Sequence, residues 1–419
     1  MSAAADLLAW GARARAAAEA MRLVSAETRT VALHALAREV RAAAPAVLAA
    51  NAEDVAAARA AGLAPAMVDR LALDPGRVEG MAASVEAVAA QPDPVGAETA
   101  RWTQPNGLDI ARVRTPIGVL AVIYESRPNV GIDAAALAIR SGNALLLRGG
   151  SEAFRSAQAL QAAAARALAS SGLPEAAVQS APSPDRALVG ALLEGLGGAV
   201  DLLIPRGGRS LVERVRREAR VPVLGHLEGR NHVFLHASAD AGMAVAVSVN
   251  AKLRRVSVCG AAETLLVDAA AAPRLLPPVA AALAAGGCEL RGDARARALV
   301  PMAAAAPEDW DTEHLAAVMN VAVVDGLEGA LAHIARHGSG HTDAIVAEDA
   351  AAADAFLQRV DSAIVLHNAS TQFADGGEFG FGAEIGIATD KLHARGPVGA
   401  EQLTTFKYVV RGKGQVRPG

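Results

Sequence analysis

The chain has 419 residues, of which 52% are hydrophobic, so it is too long for one compact core and has ample apolar side chains for more than one domain. Its formal net charge is −4, and it has no basic block or aromatic-basic stripe, which argues against a nucleic-acid-binding surface. No apolar run reaches about 18 residues, so no membrane span is expected, and the charged N-terminal segment is typical of an amphipathic helix and not of a signal peptide.

The first part of the chain, to about residue 90, carries apolar side chains at helical spacing and is predicted to be helical. Pro45 falls inside this pattern and predicts either a kink or the start of a new helix. Over residues 102–113 the spacing of the apolar side chains is no longer helical, and Asn106-Gly107 in this segment is a strong hairpin signal. We expect this hairpin to leave the main body.

From residue 116 onward, predicted strands and helices alternate. The continuous apolar run 116–124 is typical of a parallel strand that is covered on both faces. Further predicted strands are 144–147, 201–204, 221–224, 233–235, 264–267, 322–324, 344–346, 363–366 and 404–410. Helices are predicted between them, for example over 153–170, 327–336 and 350–359. Repeated strand–turn–helix units predict an open α/β sheet.

Cys259, one of two cysteines, lies between an apolar run with cations near its end and a predicted strand. The cations Lys252, Arg254 and Arg255 would favour the thiolate, which is the reactive form of cysteine. Two interpretations follow from these residues: a nucleophile, or a small core side chain. The other cysteine, Cys288, has no such neighbours and is interpreted as structural. The two cysteines lack disulfide-framework or CxxC spacing, which fits a reducing, cytoplasmic compartment.

Two Arg-Gly-Gly turns each follow a predicted strand and open a helix. They comprise Arg148, Gly149, Gly150 and Ser151 in the first turn, and Arg206, Gly207 and Gly208 in the second. Glycines let a backbone approach a phosphate, a helix N-terminus offers N–H donors, and arginines can bind phosphate through two donors. The turns therefore suit a dinucleotide, although ordinary strand–helix connections are also glycine-rich. No GxGxxG fingerprint opens a helix after a strand.

The histidines His226, His341 and His393 lie in turn-rich segments or between strands. No pair of them has metal-ligand spacing, so each is interpreted as structural and no metal is predicted. The tail loop, residues 368–397, is dense in Gly, Asn, Ser and Arg, and is either a functional loop or a covering loop.

Five long motifs, in order along nearly the whole chain, resemble the γ-glutamyl phosphate reductase family of the aldehyde dehydrogenase superfamily. The motifs are residues 116–131, 141–152, 250–267, 338–346 and 368–399. The resemblance implies an α/β, aldehyde-dehydrogenase-like fold with a Rossmann-type cofactor domain, an α/β catalytic domain and a small β oligomerisation arm. The implied ranges are 1–100 and 115–228 for the cofactor domain, 229–398 for the catalytic domain, and 101–114 and 399–415 for the arm.

The resemblance also implies roles for individual residues. Cys259 stands at the position of the family nucleophile, and Asn129 is a candidate to stabilise the oxyanion. Arg148 would lie near the adenosine ribose and suit the 2′-phosphate of NADPH, while Glu313 would hold the nicotinamide ribose. The turn at Arg206 falls where the family grips the pyrophosphate or the nicotinamide side. The glycines of both turns and Ser151 are implied cofactor contacts.

Three cations are candidate partners for the substrate phosphate or α-carboxylate: Arg127, Lys252 and Arg395. Hydrolytic aldehyde dehydrogenases carry a water-activating glutamate where this chain has His226. The resemblance therefore implies an enzyme that protects its thioester from water.

The implied activity is NADPH-dependent reduction of L-glutamyl 5-phosphate to L-glutamate 5-semialdehyde, with release of phosphate, through a cysteine thioacyl intermediate in proline biosynthesis. A cytoplasmic homo-oligomer is implied, with glutamate 5-kinase as a candidate partner and no nucleic acid or membrane. The alternatives are another aldehyde dehydrogenase, hydrolytic or CoA-acylating, and a non-catalytic nucleotide-binding scaffold.

Overall fold

The computed structural model describes residues 3–185 and 187–417. The chain forms two compact units. Unit 1 comprises Met1–Gly225, Gly380–Gly386 and Val398–Gly419, and unit 2 comprises His226–Phe379 and Ile387–Pro397. The division after Gly225 lies close to the predicted boundary after residue 228, but the roles assigned to the two domains remain predictions.

The α-helices of the described residues are α1 (Ala3–Met21), α2 (Ala26–Ala42), α3 (Ala44–Ala60), α4 (Pro65–Leu71), α5 (Pro75–Ala89), α6 (Asn129–Arg140), α7 (Phe154–Ser170), α8 (Ala187–Leu193), α9 (Arg209–Glu218), α10 (Ala241–Leu253), α11 (Ala272–Ala285), α12 (Ala294–Leu299), α13 (Gly326–His337) and α14 (Ala350–Arg359). The strands are β1 (Glu98–Thr103), β2 (Asp109–Pro116), β3 (Val119–Tyr124), β4 (Ala144–Arg148), β5 (Val178–Ser180), β6 (Leu202–Arg206), β7 (Asn231–Leu235), β8 (Ala262–Asp268), β9 (Glu289–Gly292), β10 (Ala303–Ala304), β11 (Val318–Val324), β12 (Thr342–Val346), β13 (Ile364–His367), β14 (Ile387–Ala388), β15 (Gly396–Pro397) and β16 (Thr404–Arg411).

Unit 1 contains a parallel four-stranded sheet in the order β5-β4-β3-β6. Strands β3 and β4 are buried along their whole length, as their uninterrupted apolar runs predict. Because the strands are parallel, their carboxyl ends share one edge of the sheet, and Arg148 and Arg206 both lie there. The predicted strand over 221–224 was wrong, since it contributes only an isolated bridge between Leu203 and Val223.

The N-terminal part of unit 1 is helical, as predicted. Helix α2 ends at Ala42 and α3 begins at Ala44, so Pro45 lies in the first turn of a new helix. A proline is tolerated there because the first N–H groups of a helix have no intrahelical acceptor. None of the helices in residues 3–185 and 187–417 is long and apolar enough to cross a lipid bilayer.

A separate antiparallel sheet of unit 1 has the order β1-β2-β16. The predicted hairpin forms β1 and β2, and Gly107 in its turn has a φ of +86°, a conformation that favours glycine. Phe406, Tyr408 and Val410 alternate along β16, and each is about half exposed at 48%, 56% and 52%. One face of β16 therefore presents apolar side chains to solvent.

Unit 2 is built on a parallel seven-stranded sheet in the order β10-β9-β11-β8-β7-β12-β13. Alternate residues of its strands belong to two cores. Leu265 packs in a cluster with α10 and α11, while Leu266 packs in a cluster with α13 and α14. The sheet is thus covered by helices on both faces, which confirms the predicted open α/β arrangement.

Candidate active site

Cys259 lies on the loop between α10 and β8, and its side chain is half-buried. One ring nitrogen of His226, one of His341 and the Cys259 sulfur all lie within 4.8 Å of one another. The strand order explains this, because β7 lies between β8 and β12 and the amino ends of these parallel strands share one edge. Two histidines that were interpreted separately as structural therefore lie beside the thiol.

Both imidazoles use Nδ1 in a hydrogen bond. Nδ1 of His226 lies 2.8 Å from the carbonyl oxygen of Ile387, which can only accept, so Nδ1 carries the proton and donates it. His341 is fully buried, with Nδ1 2.9 Å from the hydroxyl of Thr342 and Nε2 without a hydrogen-bond partner among the described residues. The rings meet edge to face, with centroids 4.9 Å apart. His226 thus has its proton on Nδ1, and His341 offers a lone pair at Nε2 when its own Nδ1 donates to Thr342.

Asn231, the first residue of β7, fixes the backbone that carries Cys259. Its Nδ2 donates to the carbonyl oxygens of Cys259 and Ala261 at 2.6 and 2.8 Å, and its Oδ1 accepts from Thr342 N at 3.1 Å. The fully buried amide thus ties the loop to both β7 and β12. Sequence reasoning assigned Asn231 no role, because it is far from Cys259 along the chain.

Gly229 allows the loop to pack this closely. A Cβ at Gly229 would lie 1.9 Å from the Cys259 carbonyl oxygen, so only glycine fits there. The N–H of Gly229 donates to Oε1 of Glu313 at 2.9 Å, and burial raises the pKa of Glu313. The structure therefore brings Glu313 to the nucleophile loop, while its predicted contact with a ribose stays a prediction.

Lys252 lies in the interior of unit 2. Its side chain is fully buried, and Nζ lies 2.7 Å from Oε2 of Glu263, the second residue of β8. Burial raises the pKa of Glu263 to about 7, and the neighbouring Lys252 ammonium opposes that rise. The last turn of α10 thus directs this ammonium into the interior of unit 2, and its predicted contact with a substrate remains a prediction.

The other two predicted substrate cations differ in their surroundings. Arg395 donates to both the side chain and the carbonyl oxygen of Asp361 at 2.9 Å, and to the carbonyl oxygen of Thr389 at 3.2 Å. These bonds fix Arg395 within the tail loop of unit 2. Arg127 is half-buried just after β3 in unit 1. Their contacts with a substrate remain predictions.

Arg148 ends β4 and is 8% exposed. Its Nη1 and Nη2 donate to the carbonyl oxygens of Gly149 and Pro184 at 2.9 and 3.1 Å. A Cβ at Gly149 would lie 2.9 Å from the ring of Tyr124, so the turn requires glycine at this position. A short 3₁₀ turn, Ser151–Ala153, precedes α7, so the regular helix begins one residue later than predicted.

The second Arg-Gly-Gly turn is bound by an internal carboxylate. The N–H of Gly208, at the start of α9, donates to Oε2 of Glu125 at 2.8 Å, and a Cβ at Gly207 would lie 2.4 Å from the same oxygen. Glu125 thus occupies a donor that a phosphate would otherwise use, and its charge would repel one. This turn suits the nicotinamide side of a dinucleotide, which carries no negative charge on its ring, better than the pyrophosphate. Sequence reasoning missed Glu125, which follows β3 directly.

Asn129 is the first residue of α6, and its Nδ2 donates to Oδ2 of Asp133 at 3.0 Å. Asp133 also accepts from the hydroxyl of Ser84 at 3.0 Å, and burial raises its pKa. The Asn129 side chain is therefore oriented by its own helix, and its predicted oxyanion role remains a prediction. Cys288 belongs to the core of unit 2, where burial raises the pKa of its thiol to about 11.

Comparison with known proteins identifies the family. The model of the aldehyde dehydrogenase family matches residues 1–302. A gamma-glutamyl phosphate reductase from Caulobacter vibrioides is 69% identical over 409 residues, which cover 97% of this chain and 99% of that protein. One from Caulobacter sp. strain K31 is 67% identical over 100% of both chains.

A solved structure extends the comparison to the fold. The crystal structure of gamma-glutamyl phosphate reductase from Thermotoga maritima matches with a TM-score of 0.95 and 42% identity, and the match covers 98% of this chain and 100% of that chain. The two relatives and the solved structure thus each match almost the entire sequence of this chain. The chain therefore belongs to the aldehyde dehydrogenase family, among the gamma-glutamyl phosphate reductases, and is an oxidoreductase.

Proposed function

We propose that this enzyme reduces L-glutamyl 5-phosphate to L-glutamate 5-semialdehyde with NADPH and releases phosphate, as a cytoplasmic step of proline biosynthesis. The observation that carries the proposal is the half-buried Cys259 thiol, which Asn231 holds beside two imidazoles. The names of relatives that match over the full length support the choice of an acyl phosphate as substrate.

The chemistry begins at the sulfur of Cys259. The sulfur attacks the acyl carbon, the new S–C bond forms, and the C–O bond to phosphate breaks, which leaves a thioacyl group on Cys259. His226 can accept the thiol proton at Nε2, because its Nδ1–H is donated to the Ile387 carbonyl. The backbone N–H of Cys259, with Asn129 as a candidate, would stabilise the oxyanion by about 3–4 kcal/mol per donor.

His226 bears on whether the enzyme hydrolyses its thioester. The resemblance implies that replacement of a glutamate by histidine at this position removes the base that activates water. An imidazole is itself a competent general base, so the replacement alone does not protect the thioester. The dependence of the reverse reaction on phosphate is therefore the discriminating property.

The residues of unit 1 fit a dinucleotide at the carboxyl edge of its parallel sheet, which is where open α/β sheets bind such ligands. Arg148 would hold the 2′-phosphate, and the turn at Gly149 would approach the adenosine side. Because Glu125 accepts a hydrogen bond from the turn at Gly207 and Gly208, we assign that turn to the nicotinamide side of the cofactor. When bound, NADPH supplies the hydride that reduces the thioacyl carbon. Members of the family use NAD or NADP, and the choice of NADPH is part of the proposal.

Two partners complete the proposal. The substrate is an activated acyl phosphate, so a kinase that phosphorylates a carboxylate must supply it. Glutamate 5-kinase is the enzyme that the resemblance implies.

The second partner is another copy of the chain. The exposed face of β16 is proposed to mediate homo-oligomerisation.

The test is the reverse reaction, in which the semialdehyde, phosphate and NADP⁺ are supplied and NADPH is measured. Cys259→Ala should lower turnover by at least about a thousand-fold, because the nucleophile is lost. Cys288→Ala is the matched control, since Cys288 is the other free cysteine and lies in the core. Turnover retained in Cys259→Ala would overturn the nucleophile, and a wild-type rate independent of phosphate would favour a hydrolytic or CoA-acylating enzyme.

A further inference from the structure

The group formed by His226, Cys259 and His341 has a second chemical property besides proton transfer. Two imidazoles and a thiol are the ligand set that zinc and related thiophilic cations prefer. All three potential ligand atoms lie within 4.8 Å of one another, whereas in a tetrahedral zinc site they would be about 3.3–3.7 Å apart.

The hydrogen bonds around the two rings match those of metal-binding histidines. Such histidines usually donate the distal N–H to a carbonyl or another acceptor, which fixes the tautomer and directs the other nitrogen at the metal. His226 donates from Nδ1 to the Ile387 carbonyl oxygen, and His341 shares a hydrogen bond between Nδ1 and Thr342. In His341 the nitrogen without a hydrogen-bond partner among the described residues is Nε2.

His341 gives independent evidence for a ligand. The ring is fully buried, and its Nε2 has no hydrogen-bond partner among the described residues. A buried polar atom without a partner is destabilising unless something else occupies the position. When Nδ1 donates to the Thr342 hydroxyl, Nε2 carries a lone pair that a cation near the thiol would bind.

The backbone around the site is rigid enough to hold a metal. Asn231 fixes the carbonyl groups on either side of Gly260, and Gly229 packs directly against Cys259. Both Cys259 and His226 are half-buried, so a cation can reach the site from solvent. With three protein ligands, the fourth tetrahedral position would hold water.

We propose that His226, Cys259 and His341 form a reversible binding site for Zn²⁺ or a similar thiophilic divalent cation, which inhibits the enzyme by occupying its nucleophile. Binding forms a sulfur–metal bond and releases the thiol proton to solvent. No oxidation or reduction occurs. The inhibitory part rests on the proposed function of Cys259, whereas the binding part does not.

Cobalt(II) titration of the full-length enzyme tests the binding. The wild type should develop a thiolate-to-cobalt charge-transfer absorption and the visible bands of tetrahedral cobalt, and Zn²⁺ should displace both. Cys259→Ser should lose the charge-transfer band, and Cys288→Ser should keep it. His226→Ala should weaken zinc affinity at least about tenfold without loss of fold, since that side chain is only half-buried. His341→Ala should do the same if circular dichroism shows it folded.

Activity measurements test the inhibition. Zn²⁺ should abolish wild-type turnover stoichiometrically with binding, and a chelator should restore it. A wild type without a cobalt–thiolate band, a band that persists in Cys259→Ser, or unchanged zinc affinity in His226→Ala would overturn the site. Binding that leaves an active enzyme uninhibited would overturn the inhibition. Cobalt binding by a protein that never shows the reductase activity would count against the proposed function but support the metal site.

Discussion

Asn231 shows how much of this site depends on one side chain that does no chemistry. Its single amide group satisfies the carbonyls of Cys259 and Ala261 and the N–H of Thr342. These groups lie in a buried region, where each unpaired polar group costs about 1–3 kcal/mol. The orientation of the Cys259 backbone is therefore set from β7, and with it the direction of the sulfur.

Asn231→Ala should lower kcat about tenfold or more and lower the free energy of unfolding by about 1–3 kcal/mol, because the nucleophile loop loses its anchor. The KM for NADPH should change little. Steady-state kinetics and urea denaturation measure these effects. Asn143→Ala is a matched control, since Asn143 is also fully buried and donates to the Leu403 carbonyl in unit 1. Equal losses of kcat in the two variants would show that Asn231 acts only on stability.

Arg148 is the residue that we propose selects NADPH over NADH. Arg148→Ala should raise the KM for NADPH at least about tenfold and leave the KM for NADH nearly unchanged, because only NADPH carries the 2′-phosphate. Initial rates with both cofactors measure this. Arg166→Ala, which removes an exposed arginine of α7, is the control. Equal effects on both cofactors would argue against a phosphate contact.

At the scale of the element, α13 carries the half-buried His333, which we expect to make unit 2 sensitive to acid. His333 packs against the rings of Trp310 and His232, with centroids 5.4 Å apart in each pair. Burial lowers the pKa of His333 to about 3, and nearby positive groups add to the effect. Between about pH 6.5, the pKa of an unfolded histidine, and pH 3 the unfolded chain binds the extra proton, so stability is lost as the pH falls through this range.

His333→Phe keeps an aromatic ring and removes the titration. Between pH 7 and pH 5 the wild type should lose about 2 kcal/mol more stability than this variant. Urea denaturation at several pH values measures the difference. His34→Gln, at an exposed position of α2, should leave the pH dependence unchanged. A variant with the same acid dependence as the wild type would show that the folded protein does not keep His333 neutral over this pH range.

At the scale of the whole molecule, the sheet β1-β2-β16 presents an apolar face that a monomer leaves in water. Trp102 and Tyr408 meet edge to face at 6.1 Å, and Phe406 and Tyr408 at 5.7 Å. The outer edge of β16 has no neighbouring strand in its own sheet. Exposed apolar strand edges are prone to pair with another chain.

If the proposed oligomer forms through this face, the double change of Phe406 and Tyr408 to Lys should convert it to monomers, because two charges would have to be buried in the contact. Sedimentation velocity at micromolar concentration measures the species. Val416→Lys, at a position that is 87% exposed beyond β16, is the control. A monomeric wild type, or a double variant that stays oligomeric, would reject this interface.

The local pattern of the sequence predicted most of the fold. Uninterrupted apolar runs gave β3 and β4, alternation of strand and helix signals gave the open sheets, and Asn106-Gly107 gave the hairpin. These predictions succeeded because burial along a strand or helix follows a short repeat in the sequence. The strand over 221–224 failed because its four apolar residues found a neighbour only at one position, opposite Leu203.

The sequence by itself determined the fold class, the family and the identity of Cys259 as the candidate nucleophile, because motifs of consecutive residues carry that information. Only the tertiary structure showed that Lys252 is buried against Glu263, that Asn231 holds the nucleophile loop, and that His226 and His341 flank the thiol. These contacts join residues far apart in the chain. They exist because β7 lies between β8 and β12, and strand order is a property of the assembled sheet that no local pattern specifies.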